Sequence, residues 1–268
     1  MNKNGLRQAL IGMVLLAVGG GTAAAHELSS YKLASHQFNE LAARAKPQHR
    51  MPSRSEPAAA SVLAVMSDHQ RFFGKAKYTV KDTDAVLDMC DIANRTARAY
   101  LVFELAAYVD RSMAGIPGKV EALTRQVVTG NINKYQNEMI PLLVFQQHCT
   151  GAVLPLLSAY TAALPRRRMT KEQLEGLAQV RRGVVKLYLG SSQTALETGL
   201  SATNRHMLFD SLTQMSPLFS QVLDLPARRE VRDYFRGFQA TAPKEFQPYV
   251  KQINQTLESP ACTGMCLL

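Results

Sequence analysis

From Leu28 to Leu257 the apolar residues of this chain recur every three or four positions, and sustained alternation is missing. That repeat is the period of an α-helix and leaves no pattern for a half-buried strand. Leu28, Tyr31, Ala34, Phe38, Leu41 and Ala45 form the first stripe, and Pro47 blocks its continuation. Residues 47–56, PQHRMPSRSE, are polar and proline-bearing, so they read as a loop. Pro57 suits the first turn of the next helix, with Val62, Leu63, Met66 and Phe73 on its inner face and Gly74 at its end.

The strongest helix is expected to start at Asp82-Thr83-Asp84, whose side chains can cap free N–H groups and suit the positive end of the helix dipole. Leu87, Cys90, Ala93, Ala97, Leu101, Glu104 and Tyr108 would share its buried face, and Gly115 with Pro117 would end it after Met113. A return helix is expected from Gly118 to Cys149, irregular at Gly130 and Pro141, with a separate apolar helix over 152–163. Thr170 and Gln173 fit a capping box ahead of Leu174, Leu177, Val180, Val184, Tyr188 and Ala195. Ser201, Ser216-Pro217 and Pro226 read as further helix starts. Pro243 separates Val231, Tyr234, Phe235 and Phe238 from a last stripe of Phe246, Val250, Ile253 and Leu257. Tyr78-Thr79-Val80 is the one local strand candidate. The expected fold is an all-α, disulfide-stapled bundle of about eight to ten helices with antiparallel neighbours. It forms a single domain over residues 26–268, with any subdivision near 165–169.

The first 25 residues have a different character. Lys3 and Arg7 precede an apolar run, Ala9 to Val18, and Ala23-Ala24-Ala25 supplies small residues for a cleavage site. This is the pattern of a secretory signal peptide, with cleavage expected after Ala25 and a periplasmic or secreted destination. The formal net charge of +10 falls by two when Lys3 and Arg7 leave with the leader. The surplus that remains favours acidic partners, a protein or an anionic surface. No nucleic-acid module is recognisable. No later segment is expected to span a membrane: the apolar stretch from Gly151 to Leu164 is too short and contains Pro155.

An oxidising compartment makes disulfides the expected state of Cys90, Cys149, Cys262 and Cys266. In a straight hairpin bent at Gly115, Cys90 and Cys149 would lie ~38 Å and ~50 Å from the bend at ~1.5 Å per residue. That mismatch exceeds the ~7 Å Cα separation a disulfide tolerates. The breaks at Gly130 and Pro141 would have to shorten the return path, and on that basis Cys90 pairs with Cys149. Cys262 and Cys266 are left to each other, with Gly264 allowing a tight loop. The rival pairing ties Cys149 to Cys262 or Cys266. A zinc site built from the cysteines, with His148 replacing one, lacks any close Cys-x-x-Cys pair.

Catalytic signatures are sparse. The sequence lacks Gly-x-Ser-x-Gly, a Walker loop, His-Glu-x-x-His, Cys-x-x-Cys-His and Glu-x-x-His. Ser29-Ser30-Tyr31-Lys32 matches Ser-x-x-Lys but has no accompanying Lys-Thr-Gly. Asp82, Asp84, Asp88 and Asp91 suit a helix start better than a calcium loop. His26 would become the N-terminus after cleavage, where amine and imidazole together can chelate a metal ion, though chain ends are usually mobile. Glu104 falls on the expected buried face, and a buried carboxylate needs a partner, so it is the candidate acid. Arg166-Arg167-Arg168 form the sharpest basic run, on a loop where a partner could dock. Arg181-Arg182 and Arg228-Arg229 with Arg232 and Arg236 are expected on solvated faces.

The functional expectation is an exported helical protein that binds a partner, as an adaptor, inhibitor or immunity-type protein, with no catalysis evident and no cofactor. One alternative is a bundle that holds an apolar ligand or haem, lined by Met89, Met139 and His148. Another is a hydrolase of cell-wall or lipid substrates with Glu104 as its acid.

Overall fold

A computed structural model describes residues 23–74, 78–108, 116, 118–163, 169–258 and 265–267. Among these residues there are nine α-helices and no strand. They are α1 (Ala23–Ala45), α2 (Pro57–Ser67), α3 (Thr83–Leu101), α4 (Leu105–Tyr108), α5 (Lys119–Ala162), α6 (Lys171–Ala195), α7 (Ala202–Ser220), α8 (Leu225–Thr241) and α9 (Gln247–Glu258). The fold is the all-α bundle that the period implies. Tyr78-Thr79-Val80 is not a strand: Thr79 opens the 3-10 turn Val80–Asp82 and shares a capping box with Asp82.

Helix α5 is the spine. α1, α2 and α3 pack together, with α2 and α3 against α5, and α7 lies on α5 while also touching α6 and α9. Buried side chains from Tyr31 to Met265 form one cluster. α5 alone among the described helices is long and apolar enough to cross a membrane by length and composition, but 61% of the qualifying window is buried inside the fold. It was expected as two pieces, Gly118–Cys149 and 152–163, but it runs unbroken between them, with Pro141 and Pro155 both inside the helix. The non-helical residue is Tyr135 (φ −117°, ψ 20°), between the expected irregularities at Gly130 and Pro141.

Three further boundaries differ from the sequence reading. α2 stops at Ser67 and not at Gly74, and Gln70–Gly74 is a π turn that presses Phe72 into the core. α3 ends at Leu101 and not at Met113. Glu104 takes a left-handed backbone (φ 59°), and the Asn131 amide donates to the carbonyls of Leu101 (3.1 Å) and Phe103 (2.9 Å). The buried face of α3 includes the expected Ala93 and Ala97, but is completed by Val86, Met89 and Tyr100, each one position before the expected Leu87, Cys90 and Leu101. Ser216-Pro217 does not open a helix, because α7 runs through it to Ser220. Thr170 and Gln173 form the expected capping box, Ser201 caps α7 and Pro226 lies in the first turn of α8, which the Asp224 side chain caps; Asp82 does not cap α3, because its carboxylate turns back to Thr79.

Cys90 and Cys149 are joined, with Cα atoms 5.5 Å apart. Leu101 faces Asn131, so α3 spends eleven residues between its two contacts where α5 spends eighteen. A straight pair would be out of register by ~10 Å at 1.5 Å per residue. The longer path contains Tyr135, so the bend lies where it must. Cys266 is also disulfide-bonded. Cys262, expected as its partner, lies outside the described residues, as do Arg166, Arg167 and Arg168.

Candidate functional site

The most elaborately held surface lies where the chain between α1 and α2 crosses the bend in α5. α1 ends in a 3-10 turn, Lys46–Gln48, closed by His49 in a left-handed conformation (φ 52°). Residues 50–56 then run without regular hydrogen bonding of their own, so their polar groups need partners elsewhere. α3 and α5 supply them. The Tyr100 hydroxyl donates to the Pro52 carbonyl at 2.7 Å, and the Met51 N–H donates to the Tyr135 hydroxyl at 3.2 Å. Burial pushes the Tyr100 phenol well above its usual range, so it stays a donor. Glu138, only 4% exposed, accepts from the Ser53 hydroxyl (2.9 Å) and from the Arg54 N–H (2.8 Å) through one oxygen. Arg54 reaches the other way, to Ser67 Oγ at 2.7 Å, and its Nε is buried without a partner.

Above these anchors is a shallow depression of about 410 Å³ lined by Arg50, Met51, Ser53, Ser55, Glu56, Lys134 and Tyr135. Arg50 is committed to an ion pair with Glu56 and donates to Gln48 Oε1 at 2.8 Å. Lys134 holds its ammonium 5.0 Å from the Tyr135 ring centroid, a cation–π contact that leaves the charge open to water. Tyr135 is wedged between Tyr100 and Phe103, with ring centroids at 5.4 and 6.1 Å. The segment from Arg44 to Arg54 carries four cations and no acid.

Glu104 stands at the edge of this region, but not as the expected buried acid. Its carboxylate meets His49 Nδ1 at 2.6 Å, with the glutamate side chain 26% and the histidine 85% exposed. The correction has one cause: the helix that would have buried Glu104 ends three residues earlier. The buried carboxylate is Glu138 instead. Its sequence signal is its place one residue ahead of the apolar run Met139-Ile140.

The other expected residues are scattered. His26 is an exposed residue of α1, and no cluster of three or more His, Cys, Asp or Glu able to hold a metal occurs among the described residues. Met89 and Met139 are fully buried core side chains, while His148 stacks on His69 with centroids 4.0 Å apart. Lys32 of the Ser-x-x-Lys match pairs with Asp88 at 3.0 Å, and Asp91 pairs with Arg95 at 3.1 Å.

Two arginines expected in solvent are turned inward. Arg228 is buried and donates to the carbonyls of Leu223 (3.1 Å) and Ser220 (2.7 Å). Arg181 donates to Val222 O (3.1 Å) and to Met265 O, and pairs with Asp224 at 3.3 Å. Together they satisfy the carbonyl of Ser220, which ends α7, and those of Val222 and Leu223 just after it. The chain matches no known protein family, no curated protein and no solved structure.

Proposed function

We propose that the protein is exported and acts by binding a partner, and that an acidic segment of that partner sits on residues 50–56, Lys134 and Tyr135. The observation that carries this reading is the loop itself. It adds little to the core, yet two buried phenols and a buried carboxylate fix its backbone. A rigid irregular segment on a helical scaffold is where recognition residues concentrate. The cation-rich segment Arg44–Arg54, the open charge of Lys134 and the net charge of +10 favour a negatively charged partner. The leader-like first 25 residues and the disulfide support export.

A photo-crosslinking residue placed at Ser55 tests the reading, with one at exposed Leu174 on α6 as control. Ser55 should give one defined adduct in cells that Lys134→Glu removes and Leu174 never yields. The same adducts from both positions, or none, would refute the site. Intact mass after fractionation checks export separately: a species beginning at His26 is expected outside the cytosol.

The His49–Glu104 pair favours a second reading, a hydrolase. Two paired side chains, both on left-handed residues, are the kind of local strain found at active sites. Glu104→Gln should abolish any hydrolysis of cell-wall or lipid substrates, and an unaltered rate would eliminate this reading.

A further inference from the structure

His69 and His148 lie on opposite sides of a junction. His69 sits between the end of α2 and the π turn Gln70–Gly74, and His148 lies on α5 next to the disulfide at Cys149. Their rings are stacked, centroids 4.0 Å apart and planes 17° off parallel. The segment that follows His69 carries an aromatic knob. Phe72 is fully buried, edge-on to Tyr31 (5.3 Å) and to Phe145 (5.6 Å), and Phe73 also meets Phe145 (5.1 Å). The Tyr78 hydroxyl donates to the Phe72 carbonyl at 2.7 Å. The imidazole stack is the polar edge of this contact.

We propose that the His69–His148 stack is a proton-operated latch: with both rings neutral it holds the π turn and its phenylalanines against α5, and protonation of the pair releases them. Two imidazolium ions cannot share a 4.0 Å stack, because each is a cation over the other's ring. Burial lowers the proton affinity of both, and His69 lowers that of His148 further, to a pKa of about 4. The neighbouring charges do not neutralise such a pair. Asp68 favours a proton on His69, but not on both rings. Arg71 is turned to Glu27 of α1 at 3.3 Å. On α3, Asp88 and Asp91 are taken by Lys32 and Arg95, and burial and the neighbouring Asp88 raise the proton affinity of Asp84. On α7, Asp210 acts on Tyr249. Lys75 and Lys77 lie outside the described residues.

The direction follows from linkage. A histidine whose folded affinity is below its unfolded one, near pH 6.5, stabilises the closed state fully above that pH and loses the contribution as pH falls toward 4. Half-burial screens the effect, so the closed-to-open ratio should fall by about tenfold to a hundredfold across that window.

Hydrogen exchange of the amides at 71–74 in the oxidised protein, corrected for intrinsic rate, tests the latch. The wild type should lose at least about tenfold protection between pH 6.5 and 4. His148→Phe keeps the stack and leaves only one ring to charge, and an imidazolium over a phenyl face is attractive. Its protection should change less than about twofold. If that variant does not fold, His69→Phe makes the same test from the other side. An NMR titration of the wild-type imidazoles adds a readout that needs no variant, with His148 expected to titrate below pH 5. Protection that stays flat, an equal loss in the phenylalanine variants, or a His148 titration near 6.5 would overturn the proposal.

Discussion

The bend of α5 is gripped from two sides, and the two grips use different chemistry. On one side residues 49–56 close over Tyr135 and Glu138 with buried phenols, a buried carboxylate and ion pairs. On the other, residues 197–201 lie along Thr129, Asn133 and Gln136 and are held by amides at the surface. Gln136 accepts from Ser201 N–H (2.7 Å) and donates to Gly199 O (3.1 Å), and Thr129 donates to Glu197 at 3.2 Å. Gly199 lies so close to the Asn133 amide that a Cβ there would displace it. Water can replace the second set of bonds when a partner is removed. It is kept from the buried Tyr100, Tyr135 and Glu138, so a bond lost there is poorly replaced, whereas the half-exposed Arg50–Glu56 pair is open to it. The same contrast runs through the two halves of the molecule. Both halves are packed with aromatic rings, Tyr31 on Phe145 at 4.9 Å in one and Phe209 on Phe246 at 4.9 Å in the other, but the Cys90–Cys149 disulfide ties α3 to α5, whereas helix caps and arginine–carbonyl bonds order α6–α9.

The sharpest way to break this contrast is to remove the disulfide. Cys90 and Cys149 are 59 residues apart, and a closed loop of that size is worth roughly 4 kcal/mol in the chain-entropy account. The Cys90→Ala, Cys149→Ala protein should lose about that much in denaturant unfolding. Its exchange protection should fall first in α1–α3 and later in α7–α9. Simultaneous loss throughout would mean that α5 couples the halves into one unit, and the contrast would then be one of chemistry alone.

Glu138→Ala comes next. It takes away the one buried acceptor shared by the half-buried Ser53 hydroxyl and Arg54 N–H, a cost of about 3 kcal/mol. Glu138→Gln keeps an acceptor in place and should recover most of it. The crosslink from Ser55 should fade in the alanine protein and persist in the glutamine one, because the site depends on a fixed backbone. In the other half, Arg181→Met removes two carbonyl partners and an ion pair at a residue 14% exposed, for about 2 kcal/mol. It should also free the 3-10 turn Met265–Leu267, seen as faster exchange at Cys266.

The period of the apolar residues made the helices legible, and Thr170, Ser201 and Pro226 marked where three of them start. Such signals are local, so sequence carries them. The ends were harder. α3 stops at Leu101 because an amide thirty residues away takes its last carbonyls, and nothing near Leu101 announces Asn131. That one misplaced end made Glu104 look like the enclosed carboxylate. The loop 47–56 was recognisable as a loop, but its anchors are tyrosines and a glutamate on two distant helices, side chains that read as ordinary members of apolar stripes. Arg181 and Arg228 were hidden for the opposite reason. Charge predicts solvent, whereas the carbonyls between Ser220 and Leu223 and the Asp224 carboxylate, gathered where the chain leaves α7, draw them in.

The smallest effect is the most discriminating. Gln136 bridges Gly199, Ser201 and Asn204, so by count of bonds it rivals Glu138. If bonds were simply additive, Gln136→Ala would cost as much as Glu138→Ala. It should not, because Gly199 and Ser201 are at the surface, where water replaces the lost amide, and the buried Asn204 amide keeps Asn137 Oδ1 as an acceptor at 3.1 Å. The expected cost is at most about 1 kcal/mol, with Tm nearly unchanged. Combining Gln136→Ala with Glu138→Ala sharpens the point further. The two side chains grip opposite sides of one bend without sharing a partner, so their costs should add to within about 0.5 kcal/mol. A larger interaction would show that the bend at Tyr135 is itself held by both loops, with each grip relying on the other to keep that residue out of the helical conformation.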